Sequence, residues 1–246
     1  MLKKRLIPIL QINKKKLVKS IQYKKINYIG DPINTIRIFN SLEVDEMIIL
    51  DLYASKNKVK PDFDFLQKIS KESFVPLSYG GNINSLNEAE SIFKIGYEKI
   101  ILNTLIINDI EFLVNFINRF GSQAIIVSID LKKNFFGKYN IYSNSGTIKK
   151  NYSIDYLINK LKSIGCGEIL INDIDREGTW KGLNIKLAKK ISNQTSIPII
   201  INGGANNIKN IKTVLNETKV SAIGTGNMVV YQKKDMGVLI NYPKVF

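Results

Sequence analysis

The chain has 246 residues, 44% of them hydrophobic, and its 36 lysines and arginines against 21 acidic residues give a formal net charge of +15. It has no histidine and one cysteine, which excludes Ser-His and Cys-His catalysis, imidazole metal ligands and an internal disulfide. The length fits one α/β barrel domain or two ordinary domains, and no apolar run is long enough for a membrane span or a signal peptide.

This composition indicates what the protein does without. Because histidine is missing and cysteine is single, we expect neither a metal nor a cofactor. The lack of a membrane or signal segment predicts a cytoplasmic protein that does not bind a membrane. The densest basic run, Lys14-Lys15-Lys16, belongs to no nucleic-acid-binding motif. We therefore expect the charge to attract a phosphorylated small molecule or an acidic partner, and a scaffold or nucleic-acid-binding barrel is the minor alternative.

Eight apolar runs of strand length follow one another along the chain. They cover residues 6–10, 47–50, 74–79, 100–102, 124–129, 169–171, 197–201 and 220–224. Their apolar character is continuous rather than alternating, which is typical of parallel strands that are covered on both faces.

Helix-like stretches separate these runs. Asp31-Pro32 predicts the start of the first helix, because an N-cap aspartate is followed by proline at the first helical position. Further helices are predicted from residue 84 or 85, from 108 or 109, and over 153–164, 183–191 and 208–215. The last helix is truncated, with a short helical segment near 229–234 and then an extended tail.

The two halves of the chain repeat each other. A proline, an apolar run and a glycine pair occur at 75–82 and again at 197–205, and 122 residues separate Pro76 from Pro198 as well as Glu46 from Glu168. Strand and helix in eightfold alternation predict a single (β/α)₈ barrel over residues 1–246, built of half-barrels at about 1–121 and 122–246. A doubly wound open sheet is the alternative.

The glycine pairs predict two anion sites, because a tight turn after a barrel strand exposes backbone N–H groups. Each predicted site consists of the glycine-loop residues that match between the two halves and of the polar residues that end the next strand. The first set is Gly81, Asn82, Asn103 and Thr104, and the second is Gly203, Gly204, Thr225, Gly226 and Asn227. We interpret both as phosphate-binding loops, although glycines that only permit a turn are the simpler reading.

Carboxylates end three of the runs, where barrel enzymes keep catalytic groups. These are Asp51, Asp130 and Asp173. The run opposite Asp130 ends in Gln11, whose amide does not exchange protons near neutral pH. Half of a diametric acid–base pair is therefore missing, and capping or solvation is the alternative role of each aspartate.

Charged residues stand directly before four of the runs and alternate in sign. They are Arg5, Glu46, Lys99 and Glu168. At the bottom of a barrel these side chains would form a ring of ion pairs, whereas solvated strand ends are the alternative. Two long segments at the opposite end, residues 13–29 and 132–152, are predicted as loops that shape the mouth.

Several motifs together resemble the cyclase subunit of imidazole glycerol phosphate synthase (HisF). They are Gly30-Asp31-Pro32, Leu50-Asp51, Gly80-Gly81, Asn103-Thr104, Arg119-Phe120-Gly121-Ser122-Gln123, Asp175-Arg176-Glu177-Gly178-Thr179 and Gly203-Gly204-Ala205. The resemblance covers the chain apart from its last twenty residues. It implies a (β/α)₈ barrel that binds a glutaminase (HisH-like) on its bottom face and passes ammonia through the barrel to a bisphosphate substrate.

The resemblance also assigns roles to residues. Asp130 matches a catalytic aspartate and Lys19 a mobile-loop lysine, while Gln11 stands where the second catalytic aspartate is expected. Asp51, Asp173, Asp175 and Thr179 would line the mouth. The four charges before the runs match an ammonia gate, and Glu98 matches a residue that helps to bind the glutaminase. Asn82 replaces a glycine and Asn227 a serine of the phosphate loops.

The sequence keeps the channel residues but lacks one catalytic carboxylate. In this combination it most resembles the glycosyl amidation-associated (WbuZ-type) relatives. That resemblance implies ammonia delivery to a separate ATP-dependent sugar amidotransferase in surface-glycan synthesis, with an acetamidino sugar as the product. A phosphorylated ligand would still bind at the mouth. The alternative is a true cyclase that tolerates Gln11.

Overall fold

The computed structural model describes residues 3–246 and shows a closed barrel of eight parallel strands. Along this part of the chain the strands are β1 (Arg5–Asn13), β2 (Lys16–Ile21), β3 (Lys25–Gly30), β4 (Met47–Asp51), β5 (Leu77–Gly80), β6 (Lys99–Leu102), β7 (Ile125–Lys133), β8 (Tyr139–Ser143), β9 (Ile148–Lys149), β10 (Glu168–Asp173), β11 (Ile199–Asn202) and β12 (Ala222–Thr225). The barrel order is β1-β4-β5-β6-β7-β10-β11-β12, and β12 pairs with β1 to close it. The predicted (β/α)₈ fold is confirmed, and the half-barrel division stays a prediction.

Helices follow the barrel strands on the outside. They are α1 (Pro32–Ser41), α2 (Leu52–Asn57), α3 (Phe63–Glu72), α4 (Leu86–Lys94), α5 (Thr104–Asn108), α6 (Phe112–Phe120), α7 (Ile154–Ile164), α8 (Ile185–Ser192), α9 (Ile208–Glu217) and α10 (Asn227–Val230). Side-chain caps begin several of them: Asp31 accepts the Asn34 N–H, and Ser85 accepts the Glu88 N–H. Each such cap satisfies a backbone donor that the helix itself leaves free.

The barrel wall has two apolar faces, which explains why the strand sequences are continuously apolar. Alternate residues point inward and form a core of eight side chains: Ile7, Ile9, Ile48, Ile101, Ile126, Leu170, Ile200 and Ala222. The residues between them, such as Leu6 and Leu10, point outward and pack in the larger layer beneath the helices. Both faces therefore lose contact with water, as expected for parallel strands.

The two long segments predicted as loops are antiparallel hairpins. β1 and β7 continue past the rim of the barrel to Asn13 and Lys133, and their extensions pair with β2 and β8. A strand that outruns its parallel neighbours leaves backbone N–H and C=O groups unpaired, and a hairpin satisfies them. The sequence signal for β2 was weak, because only the two apolar residues Leu17 and Val18 stand together between lysines.

Several element boundaries differ from those predicted, and three of the differences are described here. β5 begins at Leu77, because Phe74 lies outside the sheet with 86% of its side chain exposed. The helix predicted from 108 or 109 begins only at Phe112, as α6, and an additional short helix, α5, precedes it. The last helix is Asn227–Val230 rather than 229–234.

The tail packs against the outer layer beside β1. Tyr231 bridges to Val238, and the Tyr242 hydroxyl donates to the Leu6 carbonyl at 2.8 Å. Val245 is buried in the same layer. The tail thus covers apolar surface that a final long helix would otherwise cover. None of the helices within residues 3–246 has the length and apolar content needed to span a bilayer.

Core packing of α6 is testable by one pair of substitutions. Phe116 is 1% exposed and packs on Phe120, whereas Phe112 of the same helix is 43% exposed. We expect Phe116→Ala to lower the free energy of unfolding by about 3–5 kcal/mol through lost burial and a cavity. Phe112→Ala is the matched control, with a loss of about 1 kcal/mol or less. Urea titration followed by circular dichroism measures both, and equal losses would contradict this packing.

Candidate functional site

The mouth of the barrel is a polar layer above the apolar interior. Inward positions at the carboxyl ends of the strands carry amide and carboxyl side chains rather than aliphatic ones. They include Gln11, Asn103, Asp130, Asn172 and Asn202. Because every second strand residue faces inward, each of these groups lies on the same face of its strand as the apolar lining below it.

Asp130 lies at the centre of an amide network. It is 5% exposed, and its Oδ1 accepts from Asn172 Nδ2 at 2.9 Å. Asn172 Nδ2 also donates to Ser128 Oγ at 3.0 Å, and Asn172 Oδ1 accepts from Asn202 at 3.0 Å. Burial raises the pKa of Asp130 to about 6, against the opposing hydrogen bond from Asn172. Asp130 can therefore exchange a proton close to neutral pH.

Gln11 is held rigidly by both ends of its amide. Its Oε1 accepts from the Ser20 backbone N–H at 2.7 Å, and its Nε2 donates to Glu177 Oε1 at 2.9 Å. The side chain thus joins the β1–β2 hairpin to the loop after β10. It provides hydrogen bonds at the mouth and no titratable group.

Glu177 is a mouth residue that sequence reasoning did not single out. It is 3% exposed and forms an ion pair with Lys19, which is also 3% exposed. The signal in the sequence was weak, since Glu177 lies in a loop with charged neighbours. The close approach of the Glu177 loop to strand β2 depends on Gly178, because a Cβ added at Gly178 would overlap the backbone of Ser20. The hairpin is further tied down by the Gln22 N–H, which donates to the Glu177 carbonyl at 2.9 Å.

Tyr23, in the turn between β2 and β3, also lines the mouth and was not predicted. Burial raises the pKa of its hydroxyl, and the nearby charges of Asp130 and Glu177 raise it further. A phenol held neutral in this way can donate a hydrogen bond to a ligand over the whole physiological pH range.

The first glycine loop opens onto a cavity of about 70 Å³. Gly81, Asn82, Asn103, Thr104 and Asp130 all line it, so the structure brings the first predicted phosphate set together. Asn82 adopts a left-handed conformation (φ 54°), which asparagine tolerates better than most residues. The Thr104 hydroxyl accepts from the Asn144 N–H at 3.0 Å, which attaches the loop after β8 to this side.

Gly81 could not be replaced without rearrangement. An added Cβ would overlap the hydroxyl of Tyr79 and lie 2.7 Å from the Asp51 Cβ. Asp51 in turn caps α2, because its Oδ1 accepts the Ala54 N–H at 2.9 Å. Burial raises the pKa of Asp51 despite this bond. Asp51 therefore supports the first glycine loop and lines its cavity at the same time.

The second glycine loop encloses much less space, about 10 Å³. Gly204, Thr225, Gly226 and Asn227 line it together with Lys19. Gly203 and Gly204 have positive φ values of 111° and 91° that only glycine adopts without strain. Among the residues described, the Thr225 Oγ1 and Asn227 Oδ1 atoms are buried without a hydrogen-bond partner.

The remaining predicted mouth residues tie loops together. Asp173 Oδ2 accepts from the Tyr139 hydroxyl at 2.7 Å, and Asp175 Oδ2 accepts from the Lys133 N–H at 2.7 Å. Thr179 Oγ1 donates to the Arg176 carbonyl at 2.7 Å. The first two contacts join β10 and the loop after it to the β7–β8 hairpin, whereas the third lies within that loop. None of the three residues lines the two cavities at the glycine loops.

At the opposite end of the barrel the four charged residues before the strands meet. Arg5 pairs with Glu46 at 2.7 Å and with Glu168, while Lys99 pairs with Glu168 and lies 4.0 Å from Glu46. Charges of opposite sign therefore alternate around the floor. We call these four residues the floor ring.

The pKa values of the two acids of the floor ring are shifted in opposite directions. Burial raises the pKa of Glu46, and the attraction of Arg5 and Lys99 only partly offsets this. Burial opposes ionisation of Glu168 as well, but its hydrogen bonds and charge contacts with Arg5 and Lys99 hold its pKa below the usual range. Glu168 is thus the firmly ionised member that both cations share.

Glu98 lies on the same bottom face, next to Lys99, and is exposed. It lines a groove of about 360 Å³ together with Phe93, Arg119 and Phe120. Among residues 3–246, no group of three or more acidic, cysteine or histidine side chains is arranged as metal ligands would be.

Comparison with known proteins gives consistent matches over the whole barrel. The family model for "Histidine biosynthesis protein" matches residues 5–235. A "Putative imidazole glycerol phosphate synthase subunit hisF2" of Pseudomonas aeruginosa is 39% identical over 245 residues, which is 100% of this chain and 98% of that protein. A HisF protein with the same qualifier from Leptospira borgpetersenii is 38% identical over 99% of this chain and 96% of its own length. The HisF subunit of Chlorobaculum parvum is 35% identical over 86% of this chain and 84% of its own length.

The raised pKa of Asp130 predicts a distinct pH dependence of stability. The folded-state value of about 6 exceeds the unfolded value of about 3.9, so this stabilising contribution is fully present below pH ~4 and is lost as the pH rises through ~6. Relative to wild type, Asp130→Asn should therefore gain about 2 kcal/mol of unfolding free energy between pH ~4 and ~7. Denaturant titrations at the two pH values measure this gain. The exposed Asp235→Asn is the control, and a gain equal to the control would contradict the raised pKa.

The floor ring predicts a large cost for losing its shared acid. Glu168→Gln leaves Lys99 with only its 4.0 Å contact to Glu46 and leaves one side of Arg5 unpaired in a mostly buried site. We therefore expect a loss of about 3 kcal/mol, the lower end for buried pairs because Arg5 still pairs with Glu46. Glu90→Gln breaks pairs with Lys94 and Arg119 at the surface and should cost about 1 kcal/mol or less. Thermal and urea unfolding compare the two variants. Similar losses would show that the ring is solvated.

Proposed function

The chain belongs to the histidine biosynthesis protein family as a HisF-like member, and from this membership we propose that it is the ammonia-receiving subunit of a glutamine amidotransferase complex. In this proposal a HisH-like glutaminase binds the bottom face and releases ammonia at the floor ring. The ammonia passes through the barrel to the mouth. There it is delivered for amidation of a sugar, and a separate ATP-dependent amidotransferase completes the reaction.

The floor ring below an apolar interior is the observation that carries this proposal. Arg5, Glu46, Lys99 and Glu168 close the floor by ion pairs, and the layer beyond them is the eight-residue apolar core. An apolar passage favours neutral ammonia over ammonium, because an unpaired charge is costly to bury. Ammonia that stays neutral also stays nucleophilic. The position of the floor ring supports the role of a gate between the bottom face of the barrel and its apolar interior.

Features of the bottom face support a glutaminase there. The groove beside Glu98 presents Phe93 and Phe120 next to charged side chains. Phe74 is exposed in the turn before β5, at the same end of the barrel. Exposed aromatic residues beside charges are typical of protein–protein contact regions.

Sugar amidation is favoured over cyclisation by the chemistry at the mouth. A second proton-transfer group is absent at the Gln11 position, whose amide is fixed between Ser20 and Glu177. Ammonia delivery needs no such pair, whereas ring closure needs groups that both accept and donate protons. The first glycine loop and its cavity would hold a phosphorylated ligand, and the product class would be an acetamidino sugar of a surface glycan.

One observation favours the second candidate, a true imidazole glycerol phosphate synthase cyclase. Asp130 has a pKa of about 6, which suits general acid–base catalysis. In addition, the Glu177 carboxylate lies 2.9 Å from the Gln11 amide and could stand in for the missing acid. This candidate requires that Glu177 leave its ion pair with Lys19 during the reaction.

A cyclase assay separates the two candidates. The ribulosyl bisphosphate substrate of imidazole glycerol phosphate synthase is supplied with ammonium at alkaline pH, and imidazole ring formation is measured. Loss of one acid–base group typically costs about 10²–10⁴-fold, so we expect a rate at least about 10²-fold below that of the Chlorobaculum parvum HisF subunit assayed in parallel. A rate comparable to that subunit would reject delivery in favour of cyclisation.

The same preparation is then mixed with a HisH-like glutaminase, and glutamine hydrolysis is measured. Increased hydrolysis supports the complex, with Glu98→Lys as the variant expected to weaken it. Glu111→Lys, at the exposed start of α6 on the mouth side of the barrel, is the control. No increase and no ring formation would contradict both candidates.

A further inference from the structure

The mouth is asymmetric although its two glycine loops are related by the internal repeat. The cavity at the first loop measures about 70 Å³, whereas the one at the second loop measures about 10 Å³. A space of about 10–15 Å³ accommodates at most one water. The second loop therefore has no room for a phosphate group in this arrangement.

Lys19 fills the second loop. Its side chain lies against Gly226, where an added Cβ would stand 2.6 Å from the Lys19 Cε atom. Lys19 and Glu177 pair at the base of this loop, and both side chains are almost completely shielded from water. The basic group that a second phosphate would attract is thus already neutralised by a carboxylate of the protein.

The Glu177 carboxylate is held as an anion would be held. Its Oε1 accepts from Lys19 and from Gln11 Nε2, and its Oε2 lies 3.5 Å from the Asn202 Nδ2 donor. The nearby Thr225 Oγ1 and Asn227 Oδ1 atoms have no partner within residues 3–246. These two atoms belong to the second loop. They stay without a hydrogen bond because the Glu177 carboxylate is smaller than a phosphate group and does not reach them.

We propose that Glu177 determines ligand specificity: its carboxylate takes the place of a second phosphate, so the mouth binds one phosphate group and gains no affinity from a second. This rests on the proposed binding of a phosphorylated ligand at the mouth. The single phosphate binds at the first loop, beside Gly81 and Asn82. A second phosphate would have to separate Lys19 from Glu177 and would leave the carboxylate facing a like charge, which is strongly unfavourable in a buried site.

Calorimetric titration with two defined probes tests this inference. The probes are ribose 5-phosphate, with one phosphate, and ribulose 1,5-bisphosphate, with two. For the wild-type protein we expect affinities for the two probes that agree within about threefold, because the second phosphate gains nothing. For Glu177→Gln we expect at least about tenfold tighter binding of the bisphosphate, with the affinity for ribose 5-phosphate changed by about twofold or less. Glu217→Gln removes one acidic group at the exposed end of α9 and should behave as wild type.

The wild-type ratio decides the matter even if Glu177→Gln fails to fold. Binding of the bisphosphate at least about tenfold tighter than the monophosphate by wild-type protein would overturn the inference. So would an absence of ribose 5-phosphate binding at millimolar concentration, or a folded Glu177→Gln variant with an unchanged ratio. Ammonia delivery has its own test, since it fails when the glutaminase is not activated or the imidazole ring is formed. Each idea can therefore be rejected while the other stands.

Discussion

Alternation of side chains along the strands of a closed barrel is the constraint on which the rest of this structure depends. Because every second residue points inward, a single strand contributes in turn to the floor, the interior and the mouth. In β1 these residues are Arg5, Ile7 and Gln11, and in β10 the floor residue Glu168 is followed two positions later by Leu170. Pairing of each strand with its neighbours then places the equivalent inward residues of all strands at the same level along the barrel axis. A charged floor, an apolar interior and a polar mouth follow from this register.

The pKa shifts of the buried acids differ between the two ends of the barrel, because the cost of burying their charge is offset differently at each end. At the floor, alternating charges compensate one another, and the shared acid Glu168 keeps a lowered pKa although it is buried. At the mouth, Asp130 has amide partners but no cation in contact, and burial raises its pKa to about 6. The floor ring is therefore suited to holding fixed charge, and the mouth to exchanging a proton or binding a ligand.

The hairpin of β2 and β3 connects the mouth of the barrel to the loop after β10. It carries Lys19 and Tyr23 over the mouth, and Gly178 permits its close approach to the loop after β10. Lys19 pairs with Glu177, and both side chains are almost completely buried. The internal repeat thus produced two similar loops that now offer different amounts of space. The position of one side chain accounts for the difference.

Sequence alone determined the eight strands, the closed barrel and the residues of the floor ring, because these follow from local apolar runs and from the charges directly before them. It also located Gln11, Asp130 and both glycine loops at the strand ends. The hairpins, the short helix α5 before α6 and the late start of β5 needed the structure, since pairing partners and exposure decide them. Only the tertiary structure revealed that Lys19 meets Glu177, 158 positions away, and that the two loops enclose unequal cavities. Contacts of this kind depend on how distant backbone segments approach each other, which no local pattern of residue types records.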